Sequence, residues 1–282
     1  MESQFQAIKT ELLQVDAALQ NLTEDQIENA PNEVYGAHLN GLNRLAAAPV
    51  ADEVVRRLIA DVDLGPAIAR ISRVKRQNSL RLEIQFAESM MSVADPWACV
   101  EEFVYHPNYL SLARMEYGGA GLHAGDRVVF LGSGPLPLSL ICFSRQYGIE
   151  GIGIEQDKRH AALSKAVIHK LGLERRIRII CGNHFTLPLE VPCKLILVGA
   201  DALPKAEIFD HLAGVLEPGQ MVSYRIYEKG LRRLFDAASV FDLPSEFREC
   251  GRVRPEPPVN NTSVFAILYT PDRPILKRHE MT

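Results

Sequence analysis

Through the first 120 positions apolar residues recur every three or four places, and after Asp126 they gather into short unbroken runs. The first pattern belongs to amphipathic helices, the second to buried strands. Phe5, Ile8, Leu12 and Leu13 predict a helix at the start of the chain, and Thr23 ahead of Gln26 predicts a capping box that opens a short second one. Leu39, Leu42 and Leu45 predict a further helix ended near Pro49, and residues 54–62 another. Gly65-Pro66 precedes the longest periodic stretch, which runs to about Val93 before Asp95-Pro96 interrupts it. Shorter helices are predicted over 97–103 and 109–117, and Gly118-Gly119-Ala120-Gly121 closes the helical part.

Beyond Asp126 strands are predicted over 128–131, 151–155, 177–181, 195–198 and 221–226, with helices over 136–146, 158–171, 205–215 and 230–238. That alternation implies a parallel sheet with right-handed crossovers. Residues 246–252 and 263–269 fit an antiparallel hairpin at one sheet edge. The predicted fold is therefore α/β, a class I methyltransferase-like Rossmann domain with a mostly parallel seven-stranded sheet over 121–282, preceded by an all-helical domain over 1–120.

Composition narrows the setting. A chain of 282 residues with 47% hydrophobic and 23% charged residues suits a globular protein. A net charge of −4 gives no general attraction to nucleic acid or anionic membrane. No stretch is long and apolar enough to cross a membrane, and residues 1–22 lack the apolar core of a signal peptide. Cys99, Cys142, Cys181, Cys193 and Cys250 are scattered, without a CxxC pair, so neither a zinc site nor a disulfide framework is expected and a reducing cytoplasm fits. The eight histidines show no close ligand spacing, and no metal is expected.

The candidate chemistry centres on Gly132-Ser133-Gly134-Pro135, directly after the strand 128–131. A glycine turn between strand and helix lets a ligand approach the backbone, and the helix start favours a polar or acidic group. Prolines in place of the rest of a GxGxxG fingerprint point to a nucleoside without phosphates, such as S-adenosylmethionine, against the plainer reading of a tight turn. Ligands of open α/β sheets sit at the carboxyl ends of the strands. Glu155, followed by Gln156, closes the second strand and can accept ribose hydroxyls; the alternative is a solvated loop charge. Asn183 and His184 follow the third strand and can read an adenine edge or simply make a turn. Gly199 and Ala200 after the fourth leave room for a ligand. Glu83 has Ser79, Leu80, Phe86 and Ala87 as its helical neighbours, a partly apolar setting that suits a general base, although most helix glutamates are only solvated. Tyr105, His106, Asn108 and Tyr109 form a polar and aromatic cluster. Arg225, beside Tyr224 in an apolar strand, needs an anionic partner, either a substrate carboxylate or a structural one.

The segment Phe130 to Pro137 (FLGSGPLP) resembles the FIGSGPLP signature of the nicotianamine synthase family, which includes bacterial enzymes of staphylopine-type opine-metallophore synthesis. Phe103 to Leu110 (FVYHPNYL) is similar to its FPYYxNYxxL segment, with Val104 and His106 as departures, and Val259 to Val264 (VNNTSV) to its VNNTSV or VINSV. Arg225 falls on the arginine of its fifth strand. The match runs from about Arg73 to Tyr269, while the first 60 residues match poorly. The resemblance implies transfer of the 3-amino-3-carboxypropyl group of S-adenosylmethionine to an amine, with release of methylthioadenosine. It implies Glu83 and Tyr109 as the proton-handling pair. The cofactor-binding set is then Tyr105, Gly132, Ser133, Gly134, Pro135, Glu155, Gln156, Asn183, His184, Gly199 and Ala200, and the substrate-binding set is Arg225 and Tyr224. The bacterial branch, which the short chain resembles more, implies one transfer to the α-amine of histidine, an opine dehydrogenase acting downstream, and leaves a homodimer open. Repeated transfer to build nicotianamine, ordinary methyl transfer and a non-enzymatic regulatory role are the alternatives.

Overall fold

The computed structural model describes residues 1–23, 26–27, 32–228, 230–239, 242–256 and 259–269. The chain divides into two compact units, one of Met1–Phe86 with Ile226–Val240, the other of Ala87–Arg225 with Phe241–Thr282.

The first unit is helical. Helix α1 (Glu2–Leu19) buries Phe5, Ile8, Leu12, Val15 and Leu19, one stripe at helical spacing. Leu13, grouped with that stripe on spacing, is exposed instead. Helices α2 (Asn32–Ala47), α3 (Asp52–Ala60) and the long α4 (Gly65–Ser92) follow. Their apolar faces form one core with Leu231 and Leu234 of a 3-10 segment, Gly230–Ser239. The capping box forms as expected: Gln26 N donates to Thr23 Oγ1 at 3.2 Å and Thr23 N to Gln26 Oε1 at 3.0 Å. The helix it opens lies largely outside the described residues.

The second unit holds α5 (Pro96–Glu102), α6 (His106–Gly119) and the sheet: β1 (Arg127–Leu131), β2 (Glu150–Glu155), β3 (Ile177–Cys181), β4 (Leu195–Val198), β5 (Met221–Ile226), β6 (Phe247–Val253) and β7 (Thr262–Leu268). Helices α7 (Leu138–Tyr147), α8 (Lys158–Lys170) and α9 (Lys205–Val215) make three of the four crossovers, and β3 joins β4 through a 3-10 turn at His184–Thr186. The strand order is β3-β2-β1-β4-β5-β7-β6, with β1–β5 parallel and β6–β7 antiparallel, as the alternation predicts. β1 and β4 are central and buried almost throughout, which is why they read as unbroken apolar runs. β1 is followed by a move to β2 on one side and β4 lies on its other side, so the order reverses there. The crevice at the carboxyl ends of β1 and β4 is the sheet's natural ligand position.

Two expectations are adjusted. The helix predicted over 136–146 starts later: α7 begins at Leu138, with Pro137 as its N-cap. Leu138 to Ser144 are all buried, so the first two turns of α7 are covered on every side, while Arg145 and Gln146 are exposed. The change from helices to strands near residue 120 is also not where the units divide. Helices α5 and α6 belong with the sheet, because α6 packs on α7 and its Tyr117 stacks on Tyr147 with ring centroids 4.1 Å apart.

Candidate functional site

The turn after β1 is built by two glycines in the left-handed region, Gly132 at φ 76° and Gly134 at φ 70°, where a side chain would be strained. Gly132 N and Ser133 N both donate to Ile154 O of β2, at 2.9 and 3.2 Å. Gly134 N donates to Glu155 Oε2 at 3.0 Å, and Asp157 N to Glu155 Oε1 at 2.9 Å. One carboxylate thus ties the glycine turn to the end of β2. Each of its oxygens has a second lone pair, so the buried Glu155 is oriented and still able to accept from a vicinal pair of hydroxyls. Ser133 is placed differently from expectation. Its hydroxyl is buried under the turn and would lie 2.8 Å from a Cβ at Gly153 of β2. The Ser133 side chain therefore seats the turn against Gly153, while its main-chain N is given to Ile154 O.

The other strand ends complete the rim. Asn183 Oδ1 accepts from Phe185 N at 3.0 Å, capping a 3-10 turn, which orients the side chain and directs its amide nitrogen as a donor. The His184 ring packs on Phe185 and His211, and Nε2 lies 3.3 Å from Glu207 Oε1, which turns it toward α9. Gln156 is exposed, Gly199 buried and Ala200 half-buried. A Cβ at Gly199 would lie 3.1 Å from Gly132 O, so the small residue lets β4 end against the glycine turn. Asp157 caps α8 by accepting from Arg159 N at 2.8 Å and His160 N at 2.9 Å, and these amide bonds, His160 first, hold its carboxyl below the usual range.

Arg225 is buried, and its partner is structural. Its Nε and Nη2 donate to Glu116 Oε1 and Oε2 of α6, each at 2.8 Å, and Nη2 donates to Ser139 Oγ of α7 at 2.9 Å. Ser263 of β7 adds a bond to Glu116 Oε1 at 3.0 Å. Tyr224 points to the opposite face, edge-on to Phe209 with centroids 5.2 Å apart, and burial pushes its phenol up. The reading of Arg225 as a substrate-binding residue is corrected accordingly: a guanidinium already matched fork to fork by an internal carboxylate is not a substrate's counter-ion. Tyr105 is exposed at the N-cap of α6 and edge-on to Phe103, and Tyr109 is half-buried in the first turns of that helix. Glu83 is half-buried on α4 and belongs to the other compact unit.

Comparison with known proteins places this geometry. The family model described as "Nicotianamine synthase protein" matches residues 1–270. The chain belongs to the nicotianamine synthase family. The match includes the first 60 residues, which had looked unlike the family. "Nicotianamine synthase 9" of Hordeum vulgare is 31% identical over 186 residues, covering 58% of this chain and 54% of that protein. "Nicotianamine synthase" of Solanum lycopersicum is 26% identical over 212 residues, covering 69% and 65%. The aligned part thus spans between about half and two thirds of those relatives' own lengths. Among solved structures, MtNAS in complex with MTA and tNA matches at 26% identity and a TM-score of 0.84, covering 94% of this chain and 98% of that one. A glutamate-to-glutamine mutant of MtNAS in complex with S-adenosylmethionine matches at 25% and 0.82, covering 92% and 97%.

Within this nicotianamine synthase family member, sequence reasoning missed Glu116 and Lys205. Glu116 had the same signal as Glu83, a glutamate whose helical neighbours Leu112 and Ala113 are apolar. Lys205 had a fainter one: it is the first residue of α9, where the helix dipole disfavours a cation. His106, a departure from the family segment, is half-buried, and burial holds its imidazole below the usual range. Among the described residues no group of three His, Cys, Asp or Glu side chains is arranged to hold a metal ion, and no helix is long and apolar enough to cross a membrane.

Proposed function

We propose that this chain transfers the 3-amino-3-carboxypropyl group of S-adenosylmethionine to the α-amine of histidine and releases methylthioadenosine. The observation that carries the reading is Glu155, whose carboxylate is fixed by Gly134 N and Asp157 N at the sheet's switch point. A nucleoside fits there: the glycine turn gives close backbone approach, Glu155 accepts from the ribose hydroxyls, and Asn183 donates to the adenine edge. S-adenosylmethionine, when bound, supplies a carbon activated by the adjoining sulfonium: a bond from the amine nitrogen to that carbon replaces its bond to sulfur, whose electron pair stays with methylthioadenosine. Positioning decides which of the three sulfonium carbons is transferred.

The chain's own residues then have a proton to move. An amine attacks as its neutral form and ends with one proton too many. Glu83 is assigned as the acceptor of that proton and Tyr109 as the residue that orients or relays it. Tyr105 would lie along the nucleoside. Family membership and the MtNAS complexes with S-adenosylmethionine and with MTA support this class of transfer. Histidine rests on the motif-level resemblance to the opine-metallophore branch, and an opine dehydrogenase would then consume the product. The relatives' names favour a second reading, in which the acceptor amine itself comes from S-adenosylmethionine and transfer is repeated.

Mass spectrometry after incubating the protein with S-adenosylmethionine and a panel of amino acids, both histidine enantiomers included, separates these. Methylthioadenosine with a single aminobutyrate adduct of histidine is expected. Methylthioadenosine and a multiply extended product without added amino acid would establish the second reading. S-adenosylhomocysteine would mean methyl transfer, and binding without turnover a regulatory role.

A further inference from the structure

The β4–α9 loop is held by a lysine that no part of the proposed reaction uses. Lys205 is 2% exposed, and its ammonium donates to three backbone carbonyls of the loop, Gly199 O at 3.1 Å, Ala200 O at 2.6 Å and Ala202 O at 3.2 Å. Burying an ammonium is costly unless such acceptors surround it, so the loop and the charge specify each other's positions. The same loop bears on the glycine turn. Gly199 N donates to Leu131 O at 2.9 Å, Ala202 N donates to Gly199 O at 3.2 Å, and a Cβ at Gly132 would lie 3.0 Å from Ala202 Cβ. Ala202 therefore stands against Gly132, and its place is set by the carbonyl that Lys205 holds.

We propose that Lys205 is a positioning residue for the nucleoside site: by gathering the carbonyls of Gly199, Ala200 and Ala202 it braces Ala202 against Gly132 and keeps the glycine turn in its ligand-ready shape. The bracing explains two oddities together, a buried lysine at the start of a helix and a loop of small residues at the switch point. It acts through the main chain and not on the reacting atoms. It rests on the reading of this crevice as the S-adenosylmethionine site.

The test compares full-length wild type, Lys205→Met and Ala202→Val by calorimetric titration with S-adenosylmethionine and by amide hydrogen exchange. Lys205→Met keeps the stem's length and removes the charge. It is expected to bind at least roughly tenfold more weakly, and to exchange faster at residues 199–203 and at 131–134, with β2 and β3 unchanged. Ala202→Val leaves Lys205 in place and crowds Gly132. It is expected to weaken binding likewise, and it decides the matter should Lys205→Met fail to fold. A folded Lys205→Met with wild-type affinity and unchanged exchange at 131–134 overturns the proposal, as does an Ala202→Val that binds normally. Wild type without affinity for S-adenosylmethionine would instead refute the site reading. The exchange data would then judge the bracing by themselves, with faster exchange at 131–134 in Lys205→Met sustaining it and unchanged exchange there ending it.

Discussion

Glu155 and Glu83 are the two carboxylates on which the proposed chemistry depends, and they call for opposite experimental signatures. Glu155 holds Gly134 N and Asp157 N and is assigned to the ribose. Glu155→Ala is therefore expected to weaken S-adenosylmethionine binding at least roughly tenfold, about 1.4 kcal/mol, in a calorimetric titration; unchanged affinity would remove it from the site. Glu83 is assigned to the acceptor's proton. Glu83→Gln keeps size and hydrogen bonding and loses basicity, so turnover should fall by about 10²–10⁴ while S-adenosylmethionine affinity barely moves. Turnover and melting temperature measured on one preparation separate this from a purely structural role, which predicts a lower melting temperature with turnover per folded molecule intact. At this scale the sequence was a good guide to residue type and a poor one to partnership. Arg225 was legible as a buried arginine in need of an anion. That its anion is Glu116, 109 positions away on α6, was not, because nothing local links the two.

Elements show where local rules suffice. Asp157 before α8 is a helix cap by its chemistry, and the structure gives it two amide bonds. Replacing it with Ala should cost about 1 kcal/mol in chemical denaturation. The cap's ionic part also sets a pH dependence. The folded carboxyl titrates below its ordinary value of 3.8, so its contribution is complete above that pH and is lost as pH falls through the lower folded value. Asp157→Asn keeps an acceptor without the charge and should flatten that portion of the acid limb; an unchanged acid limb would assign it to other groups. Helix α7 shows where local rules stop. Its apolar run reaches back to Leu136, yet Gly134 N is held by Glu155 and Pro137 takes a non-helical ψ of 57°, so the helix starts at Leu138.

At the scale of the molecule, the two compact units are not two consecutive stretches of chain. The first takes in Ile226–Val240 from within the second half, and the second begins at Ala87. A fragment of residues 121–282, the domain suggested by the switch from helices to strands, would lack α6. It would leave Arg225 without the carboxylate that accepts two of its bonds and would uncover α7 and Tyr147. Losing one partner of a buried pair costs about 3–5 kcal/mol, a large share of the about 5–15 kcal/mol that typically holds a domain together. Of two fragments that both lack the helical core around Leu231 and Leu234, residues 121–282 should accordingly show no cooperative thermal transition by circular dichroism, whereas residues 87–282, which keep α5 and α6, should show one. Cooperative melting of the shorter fragment would show that α6 is dispensable to the sheet unit.

The sequence by itself determined the strands, the parallel sheet with its terminal hairpin, the glycine turn and the carboxylate at the next strand end, though not that the helix expected over 230–238 is a 3-10 segment in the helical unit. These follow from periodicity, from β-branched runs and from glycines at strand ends, all of which act within a few residues. Only the tertiary structure decided that Arg225 answers Glu116, that Ser133 seats the turn on Gly153, and that Lys205 gathers the loop after β4. Those pairings join elements far apart in the chain, and a buried charge or hydroxyl declares its need for a partner without naming it. Which partner meets it depends on where packing brings the helices over the sheet.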